Sequence, residues 1–151
     1  MQYYHQTSRC QNCACSIEQK VQLSSVIWFS VALCTTCQES IGEKIRATTR
    51  ETSKLYFGLK KRGVAVHLEL LDGHDTMDIA IDDSGMNLEV DDPQISYNPK
   101  EALAALKQTF LSFRSEDKVL HIPNALVAYN LEETVDYISE FVRSRRRMSY
   151  R

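Results

Sequence analysis

The chain has 151 residues, 43% of them hydrophobic and 25% charged, with only 5 Gly and 3 Pro and a formal net charge of −2. Those figures allow one compact core with a small satellite module and exclude disordered, collagen-like and low-complexity proteins. No apolar run approaches the roughly 18–20 residues that span a bilayer, and Met1-Gln2-Tyr3-Tyr4-His5 has neither a basic nor an apolar leader region, so the expectation is a soluble, cytoplasmic protein with no membrane partner.

The cysteines come first along the chain. Cys10-x2-Cys13 and Cys34-x2-Cys37 are two knuckles, with Cys15 left over. Two such pairs can bring four thiolates to one point at the roughly 2.3 Å Zn–S distance, in a closed tetrahedral site. The competing readings are disulfides, disfavoured in a reducing cytosol, and a redox Cys-x-x-Cys, which needs one pair rather than two. Cys15 is an alternative ligand to Cys13. Residues 1–39 therefore read as a zinc-ribbon module with structural Zn²⁺ on Cys10, Cys13, Cys34 and Cys37. Between the knuckles, Val21 to Ser30 reads as a hairpin that packs Trp28 or Phe29 beside the metal.

A helix is expected next, over about 40–62. Ser40 and Glu43 have capping-box spacing, and Ile41, Ile45, Thr52, Leu55, Tyr56 and Leu59 recur on one face. Lys60, Lys61 and Arg62 suit the negative end of the helix dipole, and Gly63 suits the position after it. Lys44, Arg46, Arg50, Lys54 and Lys61 line the outer face, either against a nucleic-acid backbone or simply in solvent.

Three strands follow, each alternating with period two. They are Val64 to Leu70, Met77 to Asp82 and Met86 to Asp91, separated by turns at Asp72-Gly73 and Asp83-Ser84-Gly85. Residues 64–98 hold nine Asp/Glu and no Lys/Arg, against nine Lys/Arg and four acids in residues 1–63. Uncompensated carboxylates repel and raise one another's pKa unless a cation sits among them. The alternation puts Asp78, Glu89 and Asp91 on one face of neighbouring strands, an oxygen set that suits Mg²⁺ or Mn²⁺. A solvated acidic loop is the plainer alternative, and a docking surface for a basic partner is a third.

Two further helices frame a last strand. Asn98-Pro99 opens the first, with Ala102, Leu103, Leu106, Phe110 and Phe113 on its buried face. Lys118 to Ile122 is a short strand stopped by Pro123-Asn124, and Asn130 with Glu133 caps the last helix. The chain ends in Arg143, Arg145, Arg146, Arg147 and Arg151 without an acid. These arginines either grip phosphates or solubilise the tail.

The order, a zinc ribbon followed by α-β-β-β-α-β-α, carries a resemblance. Asp78 on the second strand and Glu89-Val90-Asp91 on the third resemble the PD-(D/E)xK, or restriction-endonuclease-like, nuclease superfamily. The similarity is greatest to the branch near very-short-patch-repair endonucleases, and it extends from about Leu55 to Arg147. It implies an αβββαβ α/β core over residues 40–147, a basic tail at 148–151, and metal-dependent phosphodiester hydrolysis. Asp78, Glu89 and Asp91 become the catalytic residues, with Mg²⁺ on Asp78 and Glu89, which should lie within reach of one ion. The relatives' motif continues Glu-Val-Asp-Gly-x-x-His; Asp92 stands at the Gly and Ile95 at the His, while polar positions of the next helix fall near Ala105 and Gln108.

Two functions follow. One is a metal-dependent DNA endonuclease; the other is a catalytically inactive nucleic-acid-binding or assembly module on the same scaffold. Nucleic acid, most simply DNA, is the expected partner, held by Arg46, Arg50, Arg143, Arg145, Arg146 and Arg147. A homodimer fits a nuclease that cuts two strands. The slight negative net charge confines nucleic-acid contact to the basic helix and tail.

Overall fold

The computed structural model describes residues 8–70, 77–82, 85–91, 98–113 and 119–149, and the backbone alone at residues 99 and 146–149. The expected turns at Asp72-Gly73 and Asp83-Ser84, along with Asp92, Ile95 and Arg151, lie outside the described residues, as do the side chains of Arg146 and Arg147. The chain divides into two compact units, residues 1–48 and 49–151. Residues 39 and 40, where the sequence suggests a boundary, lie inside a helix of the first unit.

The first unit begins with a two-residue antiparallel ladder, β1 (Ser8–Arg9) against β2 (Ser16–Ile17). Two helices follow, α1 (Gln19–Phe29) and α2 (Thr35–Arg46). The expected hairpin over Val21 to Ser30 is thus corrected to a helix. Its strand-like Val-Ile-Trp-Phe composition loses to a tertiary anchor. Ser25, fully buried, donates its hydroxyl to the Val31 carbonyl at 2.7 Å and accepts the Leu33 N–H at 2.8 Å. Val21, Ser25 and Phe29 recur every four residues, so one helical face turns inward as a unit. Ser30, at φ 62°, ends the helix by returning its N–H to the Val26 carbonyl. Trp28 is 62% exposed with the Arg46 guanidinium 5.7 Å over its ring. Phe29 packs on α2 where Gly42 leaves room; a Cβ there would lie 2.7 Å from its ring.

The single helix expected over 40–62 is two. α2 stops at Arg46, and α3 (Arg50–Lys61) starts after Thr49, whose hydroxyl accepts the Thr52 N–H at 3.3 Å. Thr48 meanwhile donates its hydroxyl to the Lys44 carbonyl at 2.6 Å. Consecutive threonines therefore offer side-chain bonds that compete with helix continuation, and Thr49 makes a better cap than interior residue.

The second unit runs α3, β3 (Val66–Leu70), β4 (Met77–Ile81), β5 (Met86–Val90), α4 (Pro99–Ser112), β6 (Val119–Ile122), α5 (Asn124–Tyr129) and α6 (Leu131–Ser149). It is an α/β unit with a mixed four-stranded sheet ordered β3-β4-β5-β6. The first three strands pair antiparallel, and β6 lies parallel to β5 after the α4 crossover. Gly63, at φ +79°, terminates α3 as expected, in a conformation that a side chain would strain. The short helix α5 is an addition to the sequence reading. Leu55 and Leu59 of α3, Ile79, Leu88 and Leu120 of the sheet, and Ile138 of α6 are at most 1% exposed and form the core. α3 and α6 approach closely at Gly58, where a Cβ would stand 2.8 Å from Val135 Cγ2.

Candidate metal centre and the acidic sheet face

The first knuckle is built on the β1–β2 ladder. The Cys10 N–H donates to the Cys15 carbonyl at 2.8 Å and the Ala14 N–H to the Cys10 carbonyl at 2.9 Å. Ala14 takes a left-handed conformation, φ 65°, to close that turn. The second knuckle is the start of α2. Cys34 is its N-cap, and the Cys37 N–H points at Cys34 Sγ at 3.4 Å. Sulfur here occupies the place a Ser or Asp oxygen takes in an ordinary cap.

The Sγ atoms of Cys10, Cys13, Cys34 and Cys37 all lie within 4.8 Å of one another. A tetrahedron with 2.3 Å Zn–S bonds has S···S edges of about 3.8 Å, and the Cys13–Cys34 separation is 3.7 Å. Asn12 donates its amide to Cys37 Sγ at 3.3 Å, the outer hydrogen bond that orients a thiolate ligand. Backbone N–H donation from Cys15 draws the Cys13 thiol down to about 6, and that of Cys37 lowers Cys34. Burial pushes Cys37 up to about 12. The donor set is all sulfur, its four atoms within 4.8 Å of one another, and it is compatible with structural zinc. Cys15 stands beside this group without joining it; the thiols of Cys13 and Cys34 push its own pKa up to about 12.

The acidic residues are arranged differently. Glu69 on β3 stands opposite Asp78 on β4, and Glu89 on β5 opposite His121 on β6. Asp78 and Glu89 follow one step along from the paired Ile79 and Leu88, so the two carboxylates share a face on adjacent strands. Asp78 is buried at 3% exposure on β4, one of the two interior strands. Asp91 follows β5, with Oδ1 3.1 Å from His121 Nδ1, which stands 3.9 Å from Glu89. Among the described residues, the four cysteines are the one group of three or more metal-ligating side chains whose donor atoms all lie within 4.8 Å.

Two features of this face come with the fold. His67 is clamped by two carboxylates, Nε2 to Glu69 at 2.7 Å and Nδ1 to Asp82 at 2.5 Å. Glu69 first, and Asp82 after it, raise the His67 pKa against the opposing effect of burial. His121 on β6 sits at the carboxylate end of the row, beside Asp91 and Glu89. The i, i+2 spacing of His67 and Glu69 was visible; Asp82 and His121 arrive only through strand pairing.

The arginines are dispersed. Arg46 lies over Trp28 on α2 in the first unit, and Arg50 is exposed at the start of α3 in the second. Arg143 donates to the Arg62 carbonyl at 2.9 Å, and Arg145 stacks 4.4 Å from the Phe113 ring. No helix is long and apolar enough to cross a membrane among the described residues. No protein-family model, curated protein or solved structure matches this chain.

Proposed function

We propose that the chain is a zinc-stabilised, nuclease-like protein that acts on nucleic acid, most simply DNA. In this reading Cys10, Cys13, Cys34 and Cys37 hold one structural Zn²⁺, and the second unit is a restriction-endonuclease-like αβββαβ domain. The observation that carries it is the strand register that sets Asp78 and Glu89 side by side on one face of a mixed sheet. The run α3-β3-β4-β5-α4-β6 supports the same reading through its element order.

Asp78, Glu89 and Asp91 would hold Mg²⁺ or Mn²⁺, which supplies charge neutralisation and a more acidic water for phosphodiester hydrolysis. Asp78, walled in on β4, fixes one side of the site, while the half-buried Glu89 and Asp91 face the substrate. Through Asp91, His121 has a path for a proton in the neighbourhood of the reacting phosphate. The dispersed arginines, Arg46 and Arg50 above all, would contribute phosphate contacts.

A second reading, a non-catalytic nucleic-acid-binding or assembly module, is favoured by one observation. Among the described residues the carboxylates of this face do not converge as the cysteines do. Ala105 and Gln108 also replace the polar helix positions that the resemblance leads one to expect.

The test is cleavage of plasmid and single-stranded DNA with Mg²⁺ and then Mn²⁺, beside Glu89→Ala purified identically. Metal-dependent cleavage lost in the variant supports the nuclease. Equal silence of both proteins on every substrate rejects catalysis and leaves the binding module.

A further inference from the structure

The first unit carries five thiols, of which four converge. Cys15 is the one in excess, and it does not stand apart from them. The turn from Cys10 to Cys15 is closed by the Cys10 N–H on the Cys15 carbonyl and the Ala14 N–H on the Cys10 carbonyl, with Ala14 left-handed between Cys13 and Cys15. This turn leads the Cys15 thiol back to the sulfurs of Cys13 and Cys34, and it hydrogen-bonds both. Two residues span at most about 7 Å when extended, so a turn holds the Cys13 and Cys15 Cα atoms within the roughly 4.4–6.8 Å that a disulfide bridges. Cys13 and Cys15 are exposed, Cys34 is half-buried, and Cys10 and Cys37 are buried. The open side of the centre is therefore the side on which the spare thiol stands.

We infer that Cys13 and Cys15 form a peroxide-sensitive switch on the metal centre: oxidation joins them in a disulfide, removes Cys13 from the ligand set and releases the zinc. The inference rests on the reading of the four cysteines as a zinc site. Hydrogen peroxide is the oxidant. The Cys13 thiolate attacks one peroxide oxygen, the O–O bond breaks, hydroxide leaves, and the sulfur becomes a sulfenic acid. The Cys15 sulfur then attacks the Cys13 sulfur. The S–S bond forms as the S–OH bond breaks, and the Cys15 proton leaves with that hydroxyl as water. One thiolate, one thiol and one H₂O₂ thus give a disulfide, a water and a hydroxide that solvent protonates, and the zinc stays divalent throughout.

Cys34 also lies near Cys13, at 3.7 Å, yet two features select Cys15 as the partner. Cys34 is the N-cap of α2, with the Cys37 N–H pointing at its sulfur, and that sulfur is one of the four that hold the metal. The Cys15 sulfur lies outside that set and is the one free to attack. A ring closed over neighbouring residues also costs less chain entropy than one closed across the whole module. Once Cys13 is lost the site keeps three ligands, and a unit whose folding is linked to its metal loses structure with it. A disulfide of this kind is a reversible signal, since a reducing compartment restores both thiols.

The experiment treats the zinc-loaded full chain with H₂O₂, measures zinc release against an untreated control, alkylates the remaining thiols and digests with trypsin. Cleavage after Arg9, Lys20 and Lys44 puts Cys10, Cys13 and Cys15 on one peptide and Cys34 and Cys37 on another. The expected product is the first peptide, two hydrogen atoms lighter and alkylated at Cys10 alone, formed in step with zinc release. Dithiothreitol with added zinc restores the centre. Cys15→Ser, which keeps its zinc before treatment, collects sulfinic acid at Cys13 instead, and dithiothreitol then recovers at least about fivefold less bound zinc than in wild type. A wild-type disulfide that links the two peptides overturns the switch and leaves the zinc centre standing. So does a Cys15→Ser protein that recovers zinc as fully as wild type, or zinc that peroxide fails to release. A chain that takes up no zinc at all overturns the centre and the switch together.

Discussion

Removing zinc is the perturbation that discriminates most sharply. The first unit offers little else to fold around. Its buried aliphatic side chains among the described residues are Ile17, Leu33 and Ile45, worth roughly 5–9 kcal/mol together before any entropy is counted. Structural zinc in a four-ligand site is worth roughly 10–16 kcal/mol, which matches or exceeds the roughly 5–15 kcal/mol that stabilises a whole domain. A zinc ion held by these four cysteines would therefore decide whether this unit is folded. α1 and α2 hold 11 and 12 residues, against 12, 14, 6 and 19 in α3 to α6. Chelation should thus abolish about a third of the ellipticity at 222 nm, leave the remainder with the second unit, and red-shift Trp28 emission. Re-addition of one equivalent of Zn²⁺ should restore both signals. Ellipticity unchanged within about 5% in protein stripped below about 0.1 zinc per chain would refute the argument that the cysteine centre carries the fold of this unit.

Further outcomes follow from individual side chains. Cys13→Ser should lose zinc, whereas Cys15→Ser should retain one zinc per chain by metal analysis, because only Cys13 belongs to the converging group. Gly58→Ala gains about 1 kcal/mol of helix propensity, but its Cβ meets Val135 Cγ2 at 2.8 Å, a clash costing about 1–3 kcal/mol on a short branched side chain. Urea unfolding followed by far-ultraviolet circular dichroism should show the variant no more stable than wild type. In the double variant with Val135→Ala the clash disappears, giving a favourable coupling of at least about 0.5 kcal/mol; additivity refutes the close approach. His67 has a raised pKa in the folded state. Its contribution to stability is therefore full below the ordinary value of about 6.5 and is lost as pH rises through the elevated folded value. The melting temperature of wild type should fall across that window relative to His67→Gln, and parallel pH profiles would contradict the clamp. Arg62 bonds Asp136 at 2.5 Å and Glu132 at 2.6 Å, tying the end of α3 to α6. Arg62→Ala should cost about 1 kcal/mol at low salt and less at high salt, since both carboxylates are largely exposed.

The sequence by itself carried what depends on local chemistry and on period. The two Cys-x2-Cys knuckles announce a four-sulfur centre because ligand spacing is a local property, and their Sγ atoms do converge. The period of two in Val66–Leu70, Met77–Ile81 and Met86–Val90 yields the three antiparallel strands and puts Asp78 and Glu89 on one face. Gly63 marks the end of α3 because a left-handed residue must follow it. Tertiary structure decided the rest. Val21 to Phe29 has the composition of a strand, and it is a helix because Ser25 is buried and bonded to Val31 and Leu33. The break after Arg46 comes from Thr48 and Thr49, whose hydroxyls serve as backbone partners as readily as a continuing helix would. The placement of His121 beside Glu89, and of Asp82 on His67, required the register of strands distant in sequence. A side chain's neighbours along the strand are written in the sequence, but its neighbours across the sheet exist only once the pairing is made.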